Sequence, residues 1–466
     1  MQSDLAEAFR RAGQGHVLRW WDDLDEGGRA RLLEQLRQVD LRQLEELAAR
    51  IRSDGFRQSV TGRVERPPYV AAADPARADA RAAGEALIRA GKVAALVVAG
   101  GQGTRLGFPG PKGAFPIGAI SGKTLFHIHA ERLLACRRRY GVPMPWYIMT
   151  SDATDGPTRD YFRQVKYFGL PKEDVLFFKQ GMMPALDRRF KLALTGKDQI
   201  LLSPNGHGGT LPALAQSGML DDMERRGVEE ISYFQVDNPV VPAADPVFLG
   251  CHHRAGAQMS SKALWKREPE EPLGAFILAE GRLVVKEYSD LTPEEMNRRT
   301  PDGKLLFGLG SIAIHALRVD FVREETAGGC KLPFHLAEKS AACLDEQGQL
   351  VAPQGKNVYK FETFIFDALA DTRSSVILEV RREEEFAPVK NADGKDSPAT
   401  CRCGMTLLYA AWLEAAGVRV PRDEKGQPLH PIEISPLYAL DAEELLARKP
   451  RKLKLDGPLY LCPEAR

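Results

Sequence analysis

Val93-Ala94-Ala95-Leu96-Val97-Val98-Ala99 runs directly into Gly100-Gly101-Gln102-Gly103-Thr104-Arg105-Leu106-Gly107. A short apolar run with no polar face reads as a strand buried on both sides of a parallel sheet. The glycines after it let the backbone approach a ligand closely or take positive φ. Similar runs recur at residues 146–150, 175–178, 200–202 and 231–236, with helical segments between them, and Asp237 follows the last. The alternation predicts an α/β domain with a mostly parallel sheet, whose ligands bind at the carboxyl ends of the strands.

Outward from this core the pattern changes. Leu33, Leu36, Leu44, Leu47 and Ile51 fall at helical spacing among Arg, Glu and Gln, predicting an N-terminal helical region over residues 1–88 that packs on something larger. Trp20 and Trp21 are expected to anchor that packing. Residues 275–278 and 283–286 flank Glu280-Gly281 as a hairpin, so the central domain, 89–400, ends in an antiparallel annex. Leu/Ala spacing and then Pro- and Lys-rich segments mark 401–466 as a small C-terminal module.

The 64 basic and 63 acidic residues nearly cancel, which argues against a surface built to grip a nucleic acid. The start, MQSDLAEAFRRAGQG, lacks a signal-peptide core, and no run of about 18 apolar residues follows. A cytoplasmic protein that crosses no membrane is expected. The seven cysteines are scattered, and Cys401 and Cys403 stand too close for usual zinc spacing. His252 and His253 have no acidic or thiol partner at ligand spacing and read as surface or packing histidines.

Two phosphate-binding fingerprints fail in the glycine loop. Gly101, Gly103 and Gly107 are one residue too far apart for the dinucleotide motif, which weakens a dehydrogenase reading. Gly122-Lys123-Thr124 ends like a P-loop, but Ile117 stands where the first glycine is required. What remains delivers Arg105 and Lys112 to a strand end with free backbone amides, a triphosphate cradle of another kind.

LVVAGGQGTRLGFPGPKGAFPIG, followed by KTLFHIHAERLL, YFQVDNPVVPAADPVFLG, KEYSDL and REEEFAPVKNADGKDSP, resembles the UDP-sugar pyrophosphorylases, above all the eukaryotic type that acts on N-acetylglucosamine 1-phosphate. The resemblance spans roughly residues 90–400 and implies a Rossmann-like nucleotidyltransferase core with a mixed, mostly parallel sheet. It implies that UTP and a sugar 1-phosphate become a UDP-sugar and pyrophosphate, with Mg²⁺ as cofactor. By that likeness Arg105 and Lys112 lie at the triphosphate, Lys360 contacts the UTP phosphates, and Lys390 serves the sugar phosphate. Asp237 would hold the UTP-bound metal, and Gly100, Gly101, Gln180, Gly206 and His207 would recognise uracil or ribose. Glu287 and Tyr288 would contact the sugar, with Ser311 near it. The relatives usually carry Asn at the positions of His207 and Ser311, and Gly-His-Gly resembles the glucose-type branch. The choice between N-acetylglucosamine 1-phosphate and glucose or galactose 1-phosphate therefore stays open, as does a UDP-sugar-binding regulator without turnover.

Overall fold

A computed structural model describes residues 2–56, 62–449 and 453–463; residues 450–452, in the lysine-rich part of the tail, lie outside these. The chain forms two compact units, each discontinuous in sequence: Met1–Thr61, Gln180–Gly209 and Lys331–Asp367 make one, and Gly62–Lys179, Thr210–Cys330 and Ala368–Arg466 the other.

The larger unit holds a ten-stranded sheet. Its strands are β1 (Val64–Glu65), β2 (Val93–Val98), β3 (Trp146–Thr150), β4 (Val175–Lys179) and β5 (Glu230–Gln235), then β6 (Met259–Trp265), β7 (Ala275–Ala279), β8 (Arg282–Lys286), β9 (Leu309–Arg318) and β10 (Ile377–Glu379). The main order is β1-β7-β9-β5-β2-β3-β4, with β6 joining β9 to β10 and β8 paired with β7. The four strands β4, β3, β2 and β5 are parallel. From β9 outward the pairings are antiparallel except for β6 with β10. The expected hairpin forms as β7 and β8, with Leu278 opposite Leu283.

Parallel neighbours need a crossover, and helices supply it. The sheet carries α1 (Ala76–Arg89), α2 (Leu125–Tyr140), α3 (Pro246–Arg254) and α4 (Pro398–Ala415). One apolar cluster contains Ala95 and Val97 of β2, Trp146 and Ile148 of β3, Phe126 and Leu133 of α2, and Met405, Tyr409 and Leu413 of α4. The chain beyond residue 400 thus shares the core of the sheet. Division at residues 88 and 400 follows sequence character, whereas packing divides the chain as above.

In the smaller unit, Asp25 and Asp40 cap the helices Glu26–Gln38 and Leu41–Arg52 by accepting backbone N–H groups. Leu32, Leu36, Leu44 and Leu47 pack on Met183, Leu186, Leu192, Ile200 and Phe361, with Trp20 and Trp21 partly buried against the same cluster. A three-stranded antiparallel sheet joins Phe334–Lys339, Val358–Thr363 and Leu186–Asp187. The apolar run at 200–202 is not a strand of the parallel sheet. It splits into Gln199–Ile200 and Leu202–Pro204, each in a short antiparallel pair within this unit. Three apolar residues bury equally well in a core hairpin, so their pattern alone does not choose between the two.

Helices α1 and α3 cross at Gly84 and Gly250. A Cβ on Gly84 would lie 1.8 Å from the Pro246 carbonyl oxygen, and one on Gly250 would lie 1.7 Å from that of Ala80. Backbone faces backbone here, so no rotamer relieves the clash. Gly84→Ala is expected to destabilise the protein by about 1–3 kcal/mol, as overpacking does. Urea unfolding checks it, and an unchanged midpoint would mean that the helices move apart freely.

Candidate active site

Asp237 follows the end of β5, where Val236 N–H still donates to Val98 O at 3.1 Å. Two side chains of α2 secure the chain around it. His129 Nε2 donates to Val236 O at 3.0 Å, and Arg132 Nη2 donates to Pro239 O at 2.7 Å. Burial drives the His129 pKa down to about 4, so the ring is a neutral donor.

The glycine loop closes on itself. Lys112 N–H donates to Gly101 O at 3.0 Å, and Gly103 N–H donates to Gly110 O at 2.8 Å. This fold-back needs small residues: a Cβ on Gly113 would lie 2.2 Å from the Phe126 ring, and one on Gly103 would lie 2.8 Å from Phe108. It brings Lys112 Nζ to 3.1 Å from Asp237 Oδ2, with the two side chains only 11% and 10% exposed. Arg105 stands exposed in the turn Thr104–Leu106. Ser151 Oγ, after β3, donates to Gly100 O at 2.8 Å.

Lys390 reaches the same strand end through the backbone of Asp237, whose carbonyl accepts from Val389 N–H at 2.9 Å. Asn238 grips the approaching segment twice, Nδ2 donating to Glu385 O at 2.7 Å and Oδ1 accepting from Ala387 N–H at 3.2 Å. Sequence reading passed over Asn238; its only signal was its place beside Asp237. Among the described residues, Arg105 and Lys390 form no ion pair, so neither charge is neutralised by a carboxylate.

On the antiparallel side, Glu287 and Tyr288 follow β8, and Ser311 lies in β9. Gly274 joins them: its carbonyl accepts from Ser311 N–H at 2.8 Å, and a Cβ there would lie 2.7 Å from Glu287 Oε1. Tyr288 is exposed. Lys266, also missed in the sequence, is buried, and its pKa is lowered by that burial against the pull of Glu271 and Glu287.

The smaller unit assembles Gln180, Gly206, His207 and Lys360. Asn205 ties their segments together, its N–H donating to Gly181 O at 3.1 Å and its carbonyl accepting from Thr363 N–H at 2.7 Å. The turn fits only without side chains, since a Cβ on Gly206 would lie 2.4 Å from Thr363 O. Gln180 is buried. Phe361 is fully buried, so its strand neighbour Lys360 points from the opposite face. His207 stacks on Phe364 at 5.3 Å and meets Phe366 at 5.6 Å, while His335 stacks on Phe364 and pairs with Asp367 at 2.7 Å. This aromatic group had no recognisable sequence signal beyond His207 itself.

The residues at β5 suit a hard cation that keeps other oxygen ligands. Asp237 Oδ1 takes no protein hydrogen bond among the described residues, while Oδ2 is engaged by Lys112. No group of three or more His, Cys, Asp or Glu able to hold a metal is found among them. One carboxylate suits Mg²⁺, which habitually binds through one or two carboxylates and completes its shell with water and substrate phosphates.

The neighbouring features do other work. Lys123 pairs with Glu131, and Thr124 caps α2, so the P-loop-like triplet is structural. His252 is buried and His253 half-exposed, and a partner that sequence spacing does not show joins them: Glu230 Oε2 lies 3.0 Å from His252 Nε2, and Glu230 Oε1 lies 3.5 Å from His253. Glu230 comes from β5, and spacing along one helix cannot show a partner on another element. All seven cysteines are free.

Residues 62–410 match the family described as UTP--glucose-1-phosphate uridylyltransferase. The chain belongs to this uridylyltransferase family. It is 37% identical to the UDP-N-acetylhexosamine pyrophosphorylase-like protein 1 of Xenopus tropicalis, over 95% of this chain and 94% of the other. It is 34% identical to the UDP-N-acetylglucosamine pyrophosphorylase of Saccharomyces cerevisiae, over 90% and 92%. The crystal structure of the Trypanosoma brucei uridine diphosphate N-acetylglucosamine pyrophosphorylase, in complex with an inhibitor, superposes with a TM-score of 0.84 at 26% identity, covering 98% and 97%. No helix among the described residues is long and apolar enough to cross a membrane.

Burial of the His207 ring, with a smaller push from His335, takes its pKa down to about 4. Ile365 N–H donates to His207 Nδ1 at 3.2 Å, which fixes the neutral tautomer with hydrogen on Nε2. A histidine depressed from 6.5 to about 4 contributes stability that is full above pH 6.5 and is lost as pH falls toward 4. His207→Asn should therefore lose less Tm than the parent between pH 7.5 and pH 5. Equal losses in thermal unfolding would contradict a neutral His207.

Proposed function

We propose that this chain transfers the uridylyl group of UTP to N-acetylglucosamine 1-phosphate in the cytoplasm, giving UDP-N-acetylglucosamine and pyrophosphate. The names of its relatives support the sugar. The observation that carries the reading is the end of β5, where Asp237 is held against Lys112 and Lys390 is delivered unpaired beside it.

In the reaction, a phosphate oxygen of the sugar 1-phosphate attacks the α-phosphorus of UTP, and the bond from that phosphorus to the oxygen bridging to the β-phosphorus breaks. The obstacle is charge, because a phosphate monoester carries about −1.5 to −2 near neutral pH. Cations fixed beforehand lower the barrier by stabilising charge as it shifts onto the leaving pyrophosphate. Arg105, Lys112 and Lys360 serve the UTP phosphates in this reading, and Lys390 serves the sugar phosphate. The nucleophile is already ionised, so no general base is required. Asp237 would hold Mg²⁺ together with substrate oxygens, and the ion would supply further neutralisation of the phosphates. Gly100, Gly101, Gln180, Gly206 and His207 bind the uridine, and Glu287, Tyr288 and Ser311 the sugar.

His207 and Ser311, where relatives usually carry Asn, favour a second reading in which glucose or galactose 1-phosphate is the acceptor. Pyrophosphate release with UTP decides between them. N-acetylglucosamine 1-phosphate should give the highest kcat/KM among the N-acetylated and plain gluco and galacto substrates; a higher value for glucose 1-phosphate selects the second reading. No release with any of the four would leave a UDP-sugar-binding regulator. Lys360→Ala is expected to lower kcat by roughly 10²- to 10³-fold, the scale of losing one preorganised donor to developing charge. Near-parental turnover in that variant would remove Lys360 from the site.

A further inference from the structure

Lys262, in β6, is 1% exposed, yet it carries a charge into the interior. Its Nζ donates to Asp245 Oδ2 and to Glu385 Oε2, each at 2.6 Å, and lies 5.4 Å from the Phe248 ring. Burial opposes that charge, but the two carboxylates outweigh it and the pKa is raised. Buried ionic groups of this kind often add less stability than apolar residues of similar size, so packing alone does not explain the cluster.

Its two carboxylates begin and end the segments that meet at Asp237. Asp245 caps α3, accepting from Val247 N–H at 2.9 Å, and closes the loop that leaves Asp237. Glu385 opens the segment that ends at Lys390, and its backbone carbonyl is the one that Asn238 Nδ2 holds. Asp237 has further anchors in β5, Lys112 and α2. Among the contacts described, Lys390 is placed by the 385–389 segment and a turn in which its own N–H donates to Asp396 O at 2.6 Å.

We propose that Lys262 is a positioning residue, whose ammonium, fixed between the Asp245 and Glu385 carboxylates, sets the segment that delivers Lys390 to the end of β5. The proposal rests on the role given to Lys390 above. Lys262 touches no reacting group. It acts through the Glu385 side chain, so severing that link should matter only while Lys390 is present.

A double-mutant cycle of Glu385→Gln with Lys390→Ala tests this, reading kcat and KM for the sugar 1-phosphate at saturating UTP and Mg²⁺. Glu385→Gln leaves the Lys262 to Asp245 pair intact. Lys390→Ala should lower kcat/KM by about 10²- to 10³-fold, and Glu385→Gln by roughly 10- to 100-fold through misplacement. The double variant should be no worse than Lys390→Ala alone. Losses that multiply, or a Glu385→Gln enzyme at parental rates, would overturn the positioning role. Parental rates in Lys390→Ala would overturn the underlying assignment of Lys390 and the proposal with it. Lys262→Met should repeat the non-additive result, with Lys262→Arg recovering part of the loss; if Lys262→Met does not fold, the Glu385→Gln cycle decides.

Discussion

Lys112 and Asp237 lie 3.1 Å apart at the end of a buried parallel strand, and much of the larger unit exists to bring them together. A parallel sheet gathers the carboxyl ends of its strands at one edge, so β2 and β5 present their following loops side by side. The glycine loop then has to turn back far enough for the Lys112 N–H to reach the Gly101 carbonyl. Where Gly113 packs on Phe126, even a methyl group has no room. Two residues of α2, His129 and Arg132, hold the carbonyls on either side of Asp237 and keep the carboxylate from drifting with its loop.

Fixing cations near one another works against the stability of the free protein. Two unit charges 4 Å apart interact by about 4 kcal/mol at an effective dielectric of 20, so like charges are tolerable only when spaced, solvated or paired. Solvation and pairing are both visible here. Lys112 is buried and has Asp237 as its partner, Arg105 stays in water at the tip of its turn, and Lys390 lies 6.0 Å from the Phe386 ring. In the proposed reaction the uncompensated part of this charge would meet the anionic substrates, and its being fixed in advance would avoid reorganisation.

The parallel strands could be read from sequence because burial on both faces leaves an unbroken apolar run: β2, β3, β4 and β5 each begin or end within a residue or two of the expected limits. The β7 and β8 hairpin was legible for a different reason, its Glu280-Gly281 turn, where both residues take positive φ. Partnerships across the chain left no such trace. Glu385 and Lys262 are 123 positions apart, and Asn205 and Thr363 are 158 apart. No periodicity links them, and only folding makes them neighbours. The interleaving of the two units was hidden for the same reason, because the segment from Leu5 to Phe56 finds its core in segments that follow much later. The candidate site residues were named through family likeness. Spacing alone would have left Lys360 and Lys390 among many surface lysines.

His207 gives its turn a polar side chain without a charge. With Nδ1 accepting from Ile365 N–H and the pKa near 4, the ring is locked as an acceptor on one nitrogen and a donor on the other. An asparagine at this position would offer the same pair, with Oδ1 as acceptor and Nδ2 as donor. The imidazole adds a flat face that stacks on Phe364, but it brings no positive charge at neutral pH. The ring therefore keeps the turn polar while packing between Phe364 and Phe366.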